Sequence, residues 1–173
     1  MRFLILLSLG VTTQLVAQSA DRVLTGGRAG KIAVGMTVEA VYAEYGRENV
    51  ALVDLFGEGH FAPALQVFLP SDRGTPIAVA TIGPSCGRHV VLGVSVASSY
   101  LRTRDGLGVG STVREVRQRY RDARVNREEH PSLIVSEAQL TFATSDDRFA
   151  DSTRIVRVWT TSALPDSARR CPR

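Results

Sequence analysis

One phrase is stated twice in this chain, and it constrains the fold more than any other feature. Residues 32 to 45 read Ile-Ala-Val-Gly-Met-Thr-Val-Glu-Ala-Val-Tyr-Ala-Glu-Tyr, and residues 107 to 120 read Leu-Gly-Val-Gly-Ser-Thr-Val-Arg-Glu-Val-Arg-Gln-Arg-Tyr. The copies share Val34/Val109, Gly35/Gly110, Thr37/Thr112, Val38/Val113, Val41/Val116 and Tyr45/Tyr120 at one constant offset. Stretches that repeat a pattern in register meet the same local packing demand, so a duplicated unit is expected.

Each copy reads as the start of a helix. An apolar approach meets Gly, then a Thr whose hydroxyl is placed to accept a hydrogen bond from an orphan amide two or three residues on. In the second copy Glu115 stands at the third helical position and completes a capping box with Thr112; the first copy has Ala40 there and relies on Thr37, with Met36 set to staple onto Val41. Val38, Val41, Tyr42 and Tyr45, and then Val113, Val116 and Tyr120, recur at helical spacing. Gly46 reads as the residue that ends the first helix. Both helices are too short to stand alone, so each needs a surface to lie on.

Around the helices the chain reads as strands. Residues 50–55, 64–69, 77–82 and 90–97 follow the first, and 132–135, 138–143 and 153–161 follow the second. Asp21 to Lys31 is polar and Gly-rich and reads as irregular, as do Phe56 to Pro63 and the tail from Ser162. The expected fold class is α+β: two tandem repeats, each a short helix followed by an antiparallel β-meander, spanning residues 21–99 and 100–173 after a signal peptide at residues 1–20.

That signal peptide is read from Met1-Arg2, a short basic start, followed by the apolar run Phe3 to Val11 and a small, polar stretch with cleavage expected between Ala17 and Ala20. The run is too short to span a bilayer comfortably, so no membrane span is expected. The expected location is periplasmic or secreted. Two cysteines, Cys86 and Cys171, are most economically a disulfide in an exported chain, tying the tail to the body; free thiols or an intermolecular link are the alternatives.

The formal charge is +4, and every basic residue except Lys31 is Arg. Basic and acidic residues balance over the first 100 positions, so residues 101–173 supply the surplus. Arg114, Arg117 and Arg121 line one side of the second helix. Such a stripe suits phosphate, but an exported chain seldom meets nucleic acid and no aromatics are interleaved for stacking, so a solvated face is the stronger reading and no nucleic acid is expected. Gly106-Leu107-Gly108-Val109-Gly110-Ser111-Thr112 has the look of a phosphate loop. It lacks the Lys of a P-loop and the spacing of a dinucleotide loop, and reads as a tight turn before the helix.

The phrase itself, Ile32, Val34-Gly35-Met36-Thr37, Val41 and Tyr45-Gly46 with its second copy, resembles the repeat architecture of the beta-lactamase inhibitor protein and the SmpA/OmlA group of small outer-membrane lipoproteins. In that group an Ile-x-x-Gly-Met-Thr approach precedes the helix. The resemblance implies a sheet that presents a concave face to a protein partner. It supplies no binding residue. This chain lacks the lipid-bearing Cys of the lipoproteins and has at most one disulfide, where the inhibitors carry one per repeat.

Two constellations carry chemistry on paper. Gly83-Pro84-Ser85-Cys86-Gly87 matches the nucleophile-elbow string with His89 nearby, but an elbow needs a helix after the Ser and here a strand follows. Asp54, Glu58 and His60 share one loop and are the best acid/base or cation candidates. Trp159 reads as sheet packing. The leading expectation is an exported, non-catalytic binding or interaction module with an unknown protein partner and no cofactor or metal. The alternative is a small secreted hydrolase using Ser85 or the Asp54/Glu58/His60 loop.

Overall fold

The structure, a computed structural model, describes residues 20–57, 59–128, 130–160 and 162–165. The expected signal peptide therefore lies almost wholly outside the described residues, as do Glu58 and Cys171. A 3-10 turn, Ala20–Arg22, leads into three short strands, β1 (Val23–Thr25), β2 (Arg28–Ala29) and β3 (Ile32–Ala33). Helix α1 (Val38–Tyr45) and a 3-10 turn (Arg47–Asn49) precede β4 (Val50–Gly57), β5 (His60–Val67), β6 (Ala78–Ser85) and β7 (Arg88–Val96). Then come β8 (Arg102–Thr103), α2 (Val113–Arg119), β9 (Arg124–Asn126), β10 (Ser132–Val135), β11 (Leu140–Thr144) and β12 (Ile155–Thr160).

These strands form two sheets, and that corrects the expected fold class. The chain is mostly β, with 46% strand against 14% helix, and it is not two helix-plus-meander repeats. One eight-stranded sheet runs β4-β5-β6-β7-β12-β11-β10-β9, and a four-stranded sheet runs β3-β2-β1-β8. The large sheet is continuous because β7 pairs antiparallel with β12, through Val158↔Val96, Trp159↔Ser95 and Thr160↔Val94. A separate four-stranded sheet in each half would leave two such edges with unpaired amides and carbonyls; joining them satisfies both. The small sheet draws on the Asp21 to Lys31 stretch expected to be irregular. There β1 pairs parallel with β8, a partner distant in sequence, through Val23↔Arg102 and Leu24↔Thr103.

Both copies of the repeated phrase form the local structure their residues dictate. Thr37 caps α1, its hydroxyl accepting from the Ala40 amide at 3.2 Å. Thr112 caps α2 with a full capping box, accepting from the Glu115 amide at 3.2 Å while its own amide donates to the Glu115 carboxylate at 2.6 Å. That amide hydrogen bond holds the Glu115 carboxyl below its ordinary range. The shared glycines have φ of 87° at Gly35 and 89° at Gly110, the left-handed region that a side chain disfavours. The turns so made lie beside strands. Gly35 donates to the Val91 carbonyl and Val91 to that of Met36, while Gly110 donates to the Ile155 carbonyl and Ile155 to that of Ser111.

The helices and the small sheet cover one side of the large sheet. Val41, Val113 and Val116 of the helices share one buried cluster with Leu24, Ile32 and Leu107, and with Leu65, Val94, Leu133, Phe142 and Val158 of the large sheet. The Tyr120 ring, at the end of α2, sits 6.2 Å from that of Phe142 on β11. The opposite side of the sheet has no such cover among the described elements.

Candidate ligand-binding face

Register makes the two sides of the large sheet readable strand by strand. On the uncovered side one cross-strand row runs Ala51, Gln66, Val79, Ser95, Trp159, Thr141, Ile134 and Arg124, one residue from each strand in spatial order. Leu55 and Thr81 point to the same side, since they follow this row at even spacing along their strands. A β-bulge interrupts the alternation at β7, where Thr81 pairs with Gly93 and Ile82 with Val91, leaving Leu92 as the extra residue. The bulge turns Leu92 over Gly83: a Cβ built on Gly83 would fall 2.6 Å from the Leu92 Cδ1.

A pocket of about 880 Å³ lies on this face, lined by Leu55, Gln66, Val79, Thr81, Leu92, Gly93, Ser95, Arg157 and Trp159, with Pro76, Ala97 and Ala163 among the rest of its wall. A second hollow of about 340 Å³ adjoins Trp159 and Arg157, walled by His130, Pro131, Ala143 and Val156. The His130 ring stacks on Trp159, centroids 5.8 Å apart at 19°. Stacking from a loop fixes the plane of the indole, which is half-buried and lines the pocket.

The charges of this face have one sign. Arg157 stands opposite Ala143, Arg124 opposite Ile134 and Arg88 opposite Ser85, all on the uncovered side by register. The one acid on any strand of the large sheet, Asp54, stands opposite Pro63 on the other side, with Val50 and Leu52. Among the described residues the Arg157 side chain has neither an ion pair nor a hydrogen bond, whereas Arg114 and Arg119 are paired with Asp151 and Asp105.

The candidates named from the sequence fall elsewhere. Asp54 and His60 sit in one hairpin, but their register positions are of opposite parity, so they occupy opposite sides of it; His60 is exposed and engaged in a contact of its own. Residues expected to form that loop, Phe56 to Pro63, instead extend β4 and β5, with the Phe56 and Phe61 rings 5.1 Å apart near the tip. Ser85 ends β6, and Cys86-Gly87, with φ of 51° and 73°, make the two-residue hairpin turn into β7. No helix follows Ser85, and His89 stands opposite Pro84 on the other side of the sheet, so the elbow string makes a hairpin. Cys86 is engaged, and no cysteine is free among the described residues.

Arg114 and Arg117 project from the exposed side of α2, and Arg121 is exposed just beyond it; Arg114 is tied to Asp151 at 3.3 Å. The glycine loop before α2 has its carbonyls held. Arg102 donates to Gly106 at 2.8 Å and Val109 at 3.2 Å, and Arg154 to Gly110 at 2.7 Å. A loop whose carbonyls are gripped by arginines is a built turn, as the sequence implied. Sequence reasoning missed that Arg157 and Trp159 share one side of the sheet and line one pocket, although their i, i+2 spacing in an alternating strand was the available signal.

No protein-family model matches the chain, and no curated protein matches it. Among solved structures it is similar in fold to the uncharacterized protein YfeY from Escherichia coli, with a TM-score of 0.56 and 10% sequence identity over 82% of this chain and 97% of that one. At that identity the likeness speaks for the fold alone.

Proposed function

We propose that this chain is an exported, non-catalytic binding module of the periplasm or exterior, with the uncovered face of the eight-stranded sheet as its contact surface for a protein partner. The observation that supports it most is the row from Ala51 to Arg124: eight strands that, among the described residues, have no cover on one side and bear arginines and no acid there. The repeated helix approach, with its resemblance to the inhibitor and lipoprotein group, fits the same reading. In it, residues 1–20 are a signal peptide, and Cys86 and Cys171 pair. Among the described residues no helix is long and apolar enough to cross a membrane.

A photoreactive residue at Thr141, on the uncovered face, tests the reading against one at Arg117, on the outer side of α2. In cells producing the full chain, an adduct of one defined mass is expected from position 141 and none from 117. Equal labelling from both positions, or none from either, would refute it. Mass spectrometry of the purified protein checks the rest: a mature start near Ala20 and a linked Cys86–Cys171 peptide are expected.

A further inference from the structure

We propose that the pocket beneath Trp159 binds an apolar monocarboxylate, with the hydrocarbon lying on Leu55, Val79, Leu92 and the indole and the carboxylate on the Arg157 guanidinium. This goes beyond the binding-module reading and rests on it only in taking the uncovered face as the working surface.

The size comes first. At about 880 Å³ the pocket lies within the range of small-molecule sites, which are apolar hollows with a few convergent polar groups. Here those groups are Gln66, Thr81 and Ser95. Two backbone features keep it open. The bulge at β7 turns Leu92 to its wall, and Gly93 leaves its floor bare: a Cβ there would meet nothing nearer than the Thr160 carbonyl at 4.0 Å. A strand interior ordinarily favours a branched side chain, so a glycine with room for one marks space kept for something else.

Charge then selects the ligand. Arg157 is the one charged residue in the pocket wall, it has no partner among the described residues, and no strand places an acid on its side of the sheet. None of the described residues supplies its counter-charge, and a ligand carboxylate would. A guanidinium fork matches a carboxylate with two parallel hydrogen bonds, and beside low-dielectric walls such a bond is stronger than in water. A single cation suits a single negative charge, whereas a phosphate monoester would bring a second charge with no second cation in the wall.

The test uses the full mature chain and Trp159, the sole tryptophan, as reporter. Fluorescence titrations with decanoate and with decylammonium, the same chain with opposite heads, are run below micelle-forming concentrations, with calorimetry as a second readout. Decanoate is expected to saturate and to bind at least about tenfold tighter than decylammonium, the preference a charge-assisted hydrogen bond supplies. Arg157→Gln is expected to erase that preference, and Gly93→Val to abolish binding of both with the circular dichroism spectrum unchanged.

Equal affinity for the two heads, no saturable binding, or an Arg157→Gln variant that keeps the preference would overturn the proposal. Arg157→Gln keeps the test decisive should Gly93→Val disturb folding. If decanoate fails while position 141 still yields its adduct, the pocket assignment falls and the binding module stands. If decanoate binds with the stated preference and no adduct forms, the reverse holds.

Discussion

Two neighbouring rows of the same sheet, one residue apart along seven of its strands, have opposite characters. The covered row reads Leu52, Leu65, Ala80, Val94, Thr160, Leu140 and Val135, and from Leu65 onward all of it is buried. The uncovered row reads Ala51, Gln66, Val79, Ser95, Trp159, Thr141, Ile134 and Arg124 and is at least partly exposed throughout. Strand alternation creates both rows, but alternation alone does not say which side other elements will cover. The helices decide that. Stability belongs to the first row, and recognition is available to the second.

The sharpest way to break this contrast lies within β11. Leu140→Ala, 1% exposed, is expected to lower unfolding free energy by about 2–5 kcal/mol through lost transfer energy and a cavity, while Thr141→Ala next to it changes stability by less than about 0.5 kcal/mol. Urea denaturation reads both, and similar losses would mean the two rows are not distinct. The helix caps come next. Removing either Thr should cost about 1 kcal/mol, with Thr112→Ala the more damaging because its hydroxyl both accepts from the Glu115 amide and donates to the Glu115 carboxylate, whereas the Thr37 hydroxyl makes one bond.

A third substitution sharpens the contrast in the opposite direction. Thr160 is the polar member of the covered row, and its hydroxyl is buried without a hydrogen-bond partner among the described residues. Thr160→Val keeps the shape and removes the unmet polar group, so a gain of about 1 kcal/mol is expected in the same denaturation assay. A loss would show that the hydroxyl is satisfied in solution.

The smallest effect is a pH dependence. The Glu115 carboxyl is lowered in the folded chain from an ordinary value of 4.5, first by the Thr112 amide, so its contribution is present above that value and fades as pH falls through the lowered one. Glu115→Gln should therefore differ from the parent chain most at neutral pH and converge with it in acid. A difference that grew on acidification would reverse the sign.

What was legible in the sequence was local. Thr37, Thr112, Glu115 and Gly46 act within a few residues of themselves, and their chemistry placed both helices within the bounds observed. Long alternating strands such as Ile155–Thr160 were legible for the same reason. Pairings between distant segments were not. The strands β1 to β3 are too short to show a period and exist through partners such as Arg102 and Thr103. Joining β7 to β12 made one sheet where two repeats were expected, and hairpin register separated Asp54 from His60. The pocket was hidden likewise, because the Leu92 bulge and bare Gly93 of β7 meet Arg157 and Trp159 of β12 only through strand pairing, and the wall draws on five strands side by side.

Quenching of Trp159 fluorescence tests most directly whether one face of this sheet is open and free of acids. Iodide and caesium, compared at equal ionic strength, reach an exposed indole according to the charge around it. A ratio of iodide to caesium quenching above that of free N-acetyltryptophanamide is the expected result, lowered in Arg157→Gln. Quenching by neither ion would place the indole in a closed core, and a ratio of iodide to caesium quenching below that of free N-acetyltryptophanamide would put acids where none are described; either would contradict the open basic face.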